Sequence, residues 1–202
     1  MSDHSNGAVR ASADSLDIIF RNARTQNGWI DEPVPDALLQ EIYELAKMGA
    51  TSMNCQPARF IFLRTPEAKE RLLPALSPGN LAKTKEAPVT AIIAYDTRFY
   101  DELPTIWHVP TAREMFASNK VLADATAFRN GTLTAAYFMV AARAIGIDCG
   151  PMSGFDIAKV NAEFFPDGRY QTNFLCNLGK GNPEKLFDRN RRLRFDEACR
   201  LL

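Results

Sequence analysis

The chain has 202 residues, 46% of them hydrophobic, which suits one domain of generous size with a packed core. Its 24 basic and 24 acidic residues cancel, so no overall field recruits nucleic acid or an anionic membrane, and any role for charge is local. Four cysteines, at 55, 149, 176 and 199, form no Cys-x-x-Cys pair, and with only two histidines beside them they read as reduced thiols rather than as a metal site.

Residues 1–14 read as a disordered polar tail ahead of a single domain over 15–202. The tail has no apolar signal-peptide core, and no later segment approaches the ~18 apolar residues of a membrane span, so the expected location is cytoplasmic. Leu16, Ile19, Phe20 and Ala23 recur at helical spacing and predict a short amphipathic helix. A second helix starts at Pro35 and Asp36 and buries Leu38, Leu39, Ile42, Leu45 and Ala46. The polar stretch 49–57, GATSMNCQP, reads as a loop running into a strand over 59–63, a place where backbone groups meet a ligand.

Thr65 caps a helix over 67–76, and SPGN at 77–80 turns the chain. The almost uniformly apolar run 89–95 predicts a central strand covered on both faces. Residues 96–119, with Phe99, Tyr100, Trp107, His108 and Phe116 among polar turns, read as an irregular excursion that serves as a lid or a partner contact. A long helix over 125–145, too apolar for solvent, is expected at the centre or against a second subunit. A strand over 148–152, a helix over 157–165, a strand over 171–178 and a basic tail over 184–202 complete the reading.

The chemistry is open from residue types alone. A Cys55–His108 nucleophile pair is conceivable, but a loop cysteine is more often inert. There is no Gly-x-Ser-x-Gly elbow at Ser153, no Gly-x-Gly-x-x-Gly and no Walker loop. The basic run RNRRLR at 189–194 reads as a solvated tail ahead of a nucleic-acid patch. A third reading joins it to Arg24, so that arginines from both ends of the chain meet on one phosphate, which a guanidinium holds through two parallel hydrogen bonds.

Five blocks, ARTQNGW (23–29), TSMNCQPARF (51–60), SPGN (77–80), RNGTLTAAYFMVAARAIGIDCGPMSGFD (129–156) and NLGKGNP (177–183), resemble the nitroreductase family in order and spacing. Within it the chain is most similar to the malonic semialdehyde reductase branch, which makes 3-hydroxypropanoate in pyrimidine degradation. The resemblance implies an α+β fold with a mixed central sheet, helices on both faces, and a C-terminal extension shared across a homodimer. It also implies FMN (flavin mononucleotide) as cofactor, NADPH or NADH as reductant, and a ping-pong cycle that passes hydride through flavin N5 to a small acceptor.

For the phosphate it implies Arg24, Thr25 and Asn27, with Arg189 and Arg192 returning from the C-terminus. For the flavin ring and ribityl chain it implies Ser52, Asn54 and Asn80, and for N5 the main chain of Ser153 and Gly154. Arg98 or Arg113 in the excursion would hold a substrate carboxylate, against the alternative of exposed loop charges. Ala23, Ala58 and Ser153 depart from the arginine, tryptophan and glutamate usual in the family, which favours a semialdehyde over nitro compounds. A quinone, enone or nitroaromatic reductase, and a flavin-storage protein without turnover, are the other classes.

Overall fold

A computed structural model describes residues 10–202, so the expected tail over 1–9 lies outside the described residues. Helix α1 (Ala13–Leu16) starts where Ser12 accepts the Ser15 amide at 3.0 Å, inside the stretch read as tail, and runs into a π-helical turn over Asp17–Arg21. Then come α2 (Asp36–Ala46), β1 (Ala58–Leu63), α3 (Pro66–Leu72), α4 (Pro78–Glu86), β2 (Val89–Asp96), α5 (Leu103–Ile106), α6 (Ala112–Ala117), α7 (Lys120–Ala144), β3 (Asp148–Met152), α8 (Ile157–Phe164), β4 (Tyr170–Gly179) and α9 (Phe195–Ala198).

The four strands lie in the order β1-β2-β4-β3, and every strand pair is antiparallel. The expected mixed sheet is thereby corrected. Strands β2 and β3 run the same way but are held apart by β4, so the one parallel contact described is the bridge from Thr25 to Cys149 on the free edge of β3. The crossover from β2 to β3 is α7, whose 25 residues span about 37 Å at 1.5 Å per residue.

The apolar run of β2 is explained by two cores, one on each face of the sheet. Ala91 and Ile93 point towards α2 and α7 with Ile42, Phe138, Cys176 and Leu178. Ile92 and Ala94 point the other way, towards α3 and α8, with Leu72, Met152, Val160 and Leu175. Phe138 stacks on Phe60 at 4.8 Å and Phe62 at 6.1 Å, and its full burial contributes about 2 kcal/mol. Leu45, expected in the stripe of α2, is instead exposed, one position off the buried face made by Leu39, Ile42 and Ala46.

Two local expectations are also corrected. SPGN does not merely turn the chain: Ser77 is the N-cap and Pro78 the first residue of α4, because a fixed proline φ suits a first helical turn. The excursion is not irregular. Phe99, Leu103, Ala112 and Phe116 pack with Cys55, Ala123 and Ala127 into a third core, so α5 and α6 are fastened to the start of α7.

At the end of β2 the carboxylate of Asp96 is fully buried and accepts from Arg59 at 3.0 Å, from Arg169 at 3.0 to 3.2 Å and from the Arg98 amide at 2.9 Å. An amide in place of that carboxylate leaves two guanidiniums without a counter-charge. Asp96→Asn is expected to lower unfolding free energy by about 3 kcal/mol, read from urea titrations of both proteins.

Candidate functional site

The first group of candidate residues gathers on the free edge of β3. Residues 25–26 lie along it, where Gln26 donates its amide to Cys149 at 3.0 Å, and residues 28–30 then pair with the segment after β4, where Trp29 bridges Gly181 and Ile30 donates to Lys180 at 2.9 Å. Gly150 is required here, since a Cβ would stand 2.8 Å from the Gln26 carbonyl. The segment thus presents Arg24, Thr25 and Asn27 from a fixed backbone.

The C-terminal tail returns to the same place. Arg24 donates to the carbonyl of Phe187, and Arg189 donates to the carbonyl of Ala23 at 3.0 Å, so each arginine holds the backbone beside the other. Arg192 makes its bond within the tail, to Asn190 at 2.9 Å, and is not brought into this clasp by a described contact.

From Asn27 a row of polar groups continues across α4. Lys83 donates to the Asn27 side chain at 3.5 Å, Asn80 lies one turn before Lys83, and Asn80 donates to the Gly154 carbonyl at 2.8 Å. The Ser77 amide reaches the same carbonyl at 3.0 Å. A Cβ on Gly154 would meet Asn80 Nδ2 at 2.7 Å, so the contact needs glycine. Burial pushes the Lys83 ammonium below its ordinary pKa, and its one side-chain bond is long, so it holds donors in reserve. Lys83 and Ser77 were missed from sequence; the signal was helical spacing from Asn80, invisible while SPGN read as a turn.

A second group sits in the 51–57 loop, which enters β1. Met53, Asn54 and Gln56 have φ of 52°, 51° and 39°, a left-handed run of side-chain-bearing residues that costs about 1 kcal/mol each. The surroundings hold it in place. Asn130 of α7, 2% exposed, accepts the Ser52 amide at 2.8 Å and donates to Thr126 at 2.8 Å. Asn54 donates to Ile106 at 2.9 Å, tying the loop to the excursion, and accepts from Gln56 at 3.0 Å. Asn130 was also missed, although a polar residue inside an apolar helix was its signal.

Among the described residues no hydrogen bond joins the two groups. They enter at opposite edges of the sheet, β1 and β3, three strand spacings or about 14 Å apart.

Arg98 and Arg113 converge on Asp101, at 3.0 and 3.3 Å, and Arg113 also holds Glu114 at 2.6 Å. Both guanidiniums are therefore already met by carboxylates on the surface of the excursion. The Cys55–His108 reading fails on physical grounds. Cys55 is 1% exposed, and burial pushes its thiol up to about 11, while the His108 ring packs on Trp107 at 4.2 Å. Cys149 and Cys176 are also buried free thiols, with the Cys176 thiol pushed up by its hydrogen bond with the Cys149 thiol and by burial. Among the described residues no group of three or more His, Cys, Asp or Glu is placed to hold a metal.

Comparison with known proteins bears on the family and the fold. The model of the nitroreductase family matches residues 24–180. A candidate NADH dehydrogenase/NAD(P)H nitroreductase of Cupriavidus pinatubonensis is 53% identical over 189 residues, covering 92% of this chain and 96% of its own. Another so named, from Ralstonia nicotianae, is 50% identical over 187 residues, covering 93% and 96%. A nitroreductase crystal structure in complex with FMN from Exiguobacterium sibiricum superposes with a TM-score of 0.86 at 19% identity, covering 96% of this chain and 99% of that one. The protein is a member of the nitroreductase family, and its fold is the α+β fold of that family.

Cys55, Cys149 and Cys176 are expected to stay unreactive towards a colorimetric disulfide reagent at neutral pH until the protein is unfolded. Rapid modification of Cys55 in the native protein would revive a nucleophilic role.

Proposed function

We propose that the protein is an FMN-dependent NAD(P)H oxidoreductase that reduces malonic semialdehyde to 3-hydroxypropanoate: aldehyde, NAD(P)H and a proton give alcohol and NAD(P)⁺. The observation that carries the cofactor is the set of polar groups from the Arg24–Arg189 clasp, through the Asn27–Lys83 pair, to the Asn80–Gly154 pair. Its chemistry suits a phosphorylated, hydrogen-bonding ring. Arginines at one end match phosphate, Lys83 keeps donors unspent in a desolvated place, and Asn80 fixes the Ser153–Gly154 backbone.

When bound there, FMN supplies the hydride chemistry that no side chain of the chain provides. The protein's part is position: Arg24, Arg189 and Thr25 take the phosphate end, with Arg192 a further candidate from the tail. Lys83, Asn27 and Asn80 take the ring edge, and the main chain of Ser153 and Gly154 lines the hydride-bearing side. The aldehyde reading is supported by Ala58, Ser153 and Ala23 standing where broad-specificity members carry tryptophan, glutamate and arginine.

The homodimer belongs to the same proposal. The loop with Ser52 and Asn54 and the row on β3 are separated within one chain, and two copies related by a twofold axis bring one to the other. The surface suits that pairing. The outer face of α7 carries Val121, Leu122, Phe128, Leu133 and Tyr137 exposed, Val121 at 81%, and the tail exposes Phe187, Leu193 and Phe195.

The purified protein is expected to show a flavin spectrum that anaerobic NADPH or NADH bleaches, and gel filtration to give a dimer. A storage protein would not bleach, and a stable flavin-loaded monomer would overturn the shared site. Lys83→Gln is expected to weaken FMN about tenfold, and Arg24→Ala by at least as much, each read by fluorescence titration. Comparison of kcat/KM for malonic semialdehyde, a quinone, an enone and a nitroaromatic decides the acceptor; a preference for nitroaromatics would replace the aldehyde reading.

A further inference from the structure

Beside the 51–57 loop lies a cavity of about 520 Å³, bounded by Met53, Asn54 and Gln56 on the loop, by Trp107 from the excursion and by Lys47 at the end of α2. Among the described residues Lys47 is the one charged side chain on its wall, and no carboxylate lines it. An anion in this cavity therefore meets a cation on the wall and no carboxylate there, the counter-charge of that cation being Glu44 beside it on α2. That asymmetry selects for acceptors that carry a carboxylate.

The arginines expected for that task stand away from this cavity. Arg98 and Arg113 are met by Asp101 and Glu114, and neither lines this cavity. Lys47 pairs with Glu44, one turn back on the same helix, in a pair exposed at 37% and 59%, and its Nζ lies 5.9 Å from the centre of the Tyr43 ring. Exposed pairs of this kind are worth about 0.2–1 kcal/mol, so a carboxylate held between loop and excursion competes for the ammonium.

Trp107 closes the facing wall, its indole N–H buried and without an acceptor among the described residues. The cavity is rigid on its loop side, through the bonds from Asn54 to Ile106 and from Gln56 to Asn54.

We propose that Lys47 is the specificity-determining cation of this enzyme, holding at Nζ the carboxylate of a small carbonyl acceptor lodged between the 51–57 loop and Trp107. The proposal rests on the redox reading above, since it assigns the acceptor's place in that site. The probe is malonate, a small dicarboxylate that cannot be reduced, titrated by calorimetry into wild type, Lys47→Gln and Lys47→Arg at fixed ionic strength.

Malonate is expected to bind wild type, about tenfold more weakly to Lys47→Gln, and to Lys47→Arg within about threefold of wild type. In steady state, the ratio of KM for malonic semialdehyde to KM for propanal is expected to rise about tenfold in Lys47→Gln and to return in Lys47→Arg. A merely structural lysine would move both KM values together. Equal malonate binding by wild type and Lys47→Gln, or none by wild type, overturns the proposal. If NADPH leaves the wild-type flavin unbleached, the redox reading fails, and the malonate titration still decides Lys47.

Discussion

The buried carboxylate of Asp96 is the constraint on which the layout of this protein turns. It closes the central strand β2 and draws in Arg59 from β1 and Arg169 from the start of β4, and the Tyr170 ring lies 5.7 Å from one guanidinium and 5.9 Å from the other. The same carboxylate accepts the Arg98 amide, where the excursion departs, and the Asp96 amide donates to Pro57 at the end of the candidate loop. One charge thus sets where β1 begins, where β4 begins and where the chain leaves the sheet. A buried charge is tolerable only when it is met this fully, so these three departures are fixed together.

Helix α7 is the second organising element, and its composition explains how one helix serves two surfaces. Small residues on its inner side let it lie close to the sheet: a Cβ on Gly131 would stand 3.0 Å from that of Tyr95. Asn130, beside it, turns its side-chain carbonyl towards the Ser52 amide. The outer side keeps large apolar side chains in the open, which is costly in water and makes sense for a surface that another chain covers.

Much of this layout was legible in the sequence where one residue type has one physical meaning. The apolar run over 89–95 could only be a strand covered twice, and the small-residue helix could only be packed closely. The ordered blocks were enough to single out Arg24, Asn27 and Asn80, though not the helix that carries Asn80. Other features stayed hidden because they depend on partners far apart in the chain. Nothing local distinguishes Asp96 from an exposed aspartate, and Arg98 looks free until Asp101 turns towards it. Ser77-Pro78 was ambiguous in itself, since the pair suits a turn and a helix start equally. Reading it as a turn concealed α4 and, with it, Lys83.

The left-handed residues of the 51–57 loop carry a consequence for the timing of recognition. Because Asn130, Ile106 and Thr51 already hold Met53, Asn54 and Gln56 in that conformation, the loss of loop freedom is incurred when the chain folds rather than when a ligand arrives. Association then begins from a surface that is already shaped. A loop of this kind gives up adaptability in return, and it discriminates by rejecting what does not match its fixed outline instead of by closing around what does.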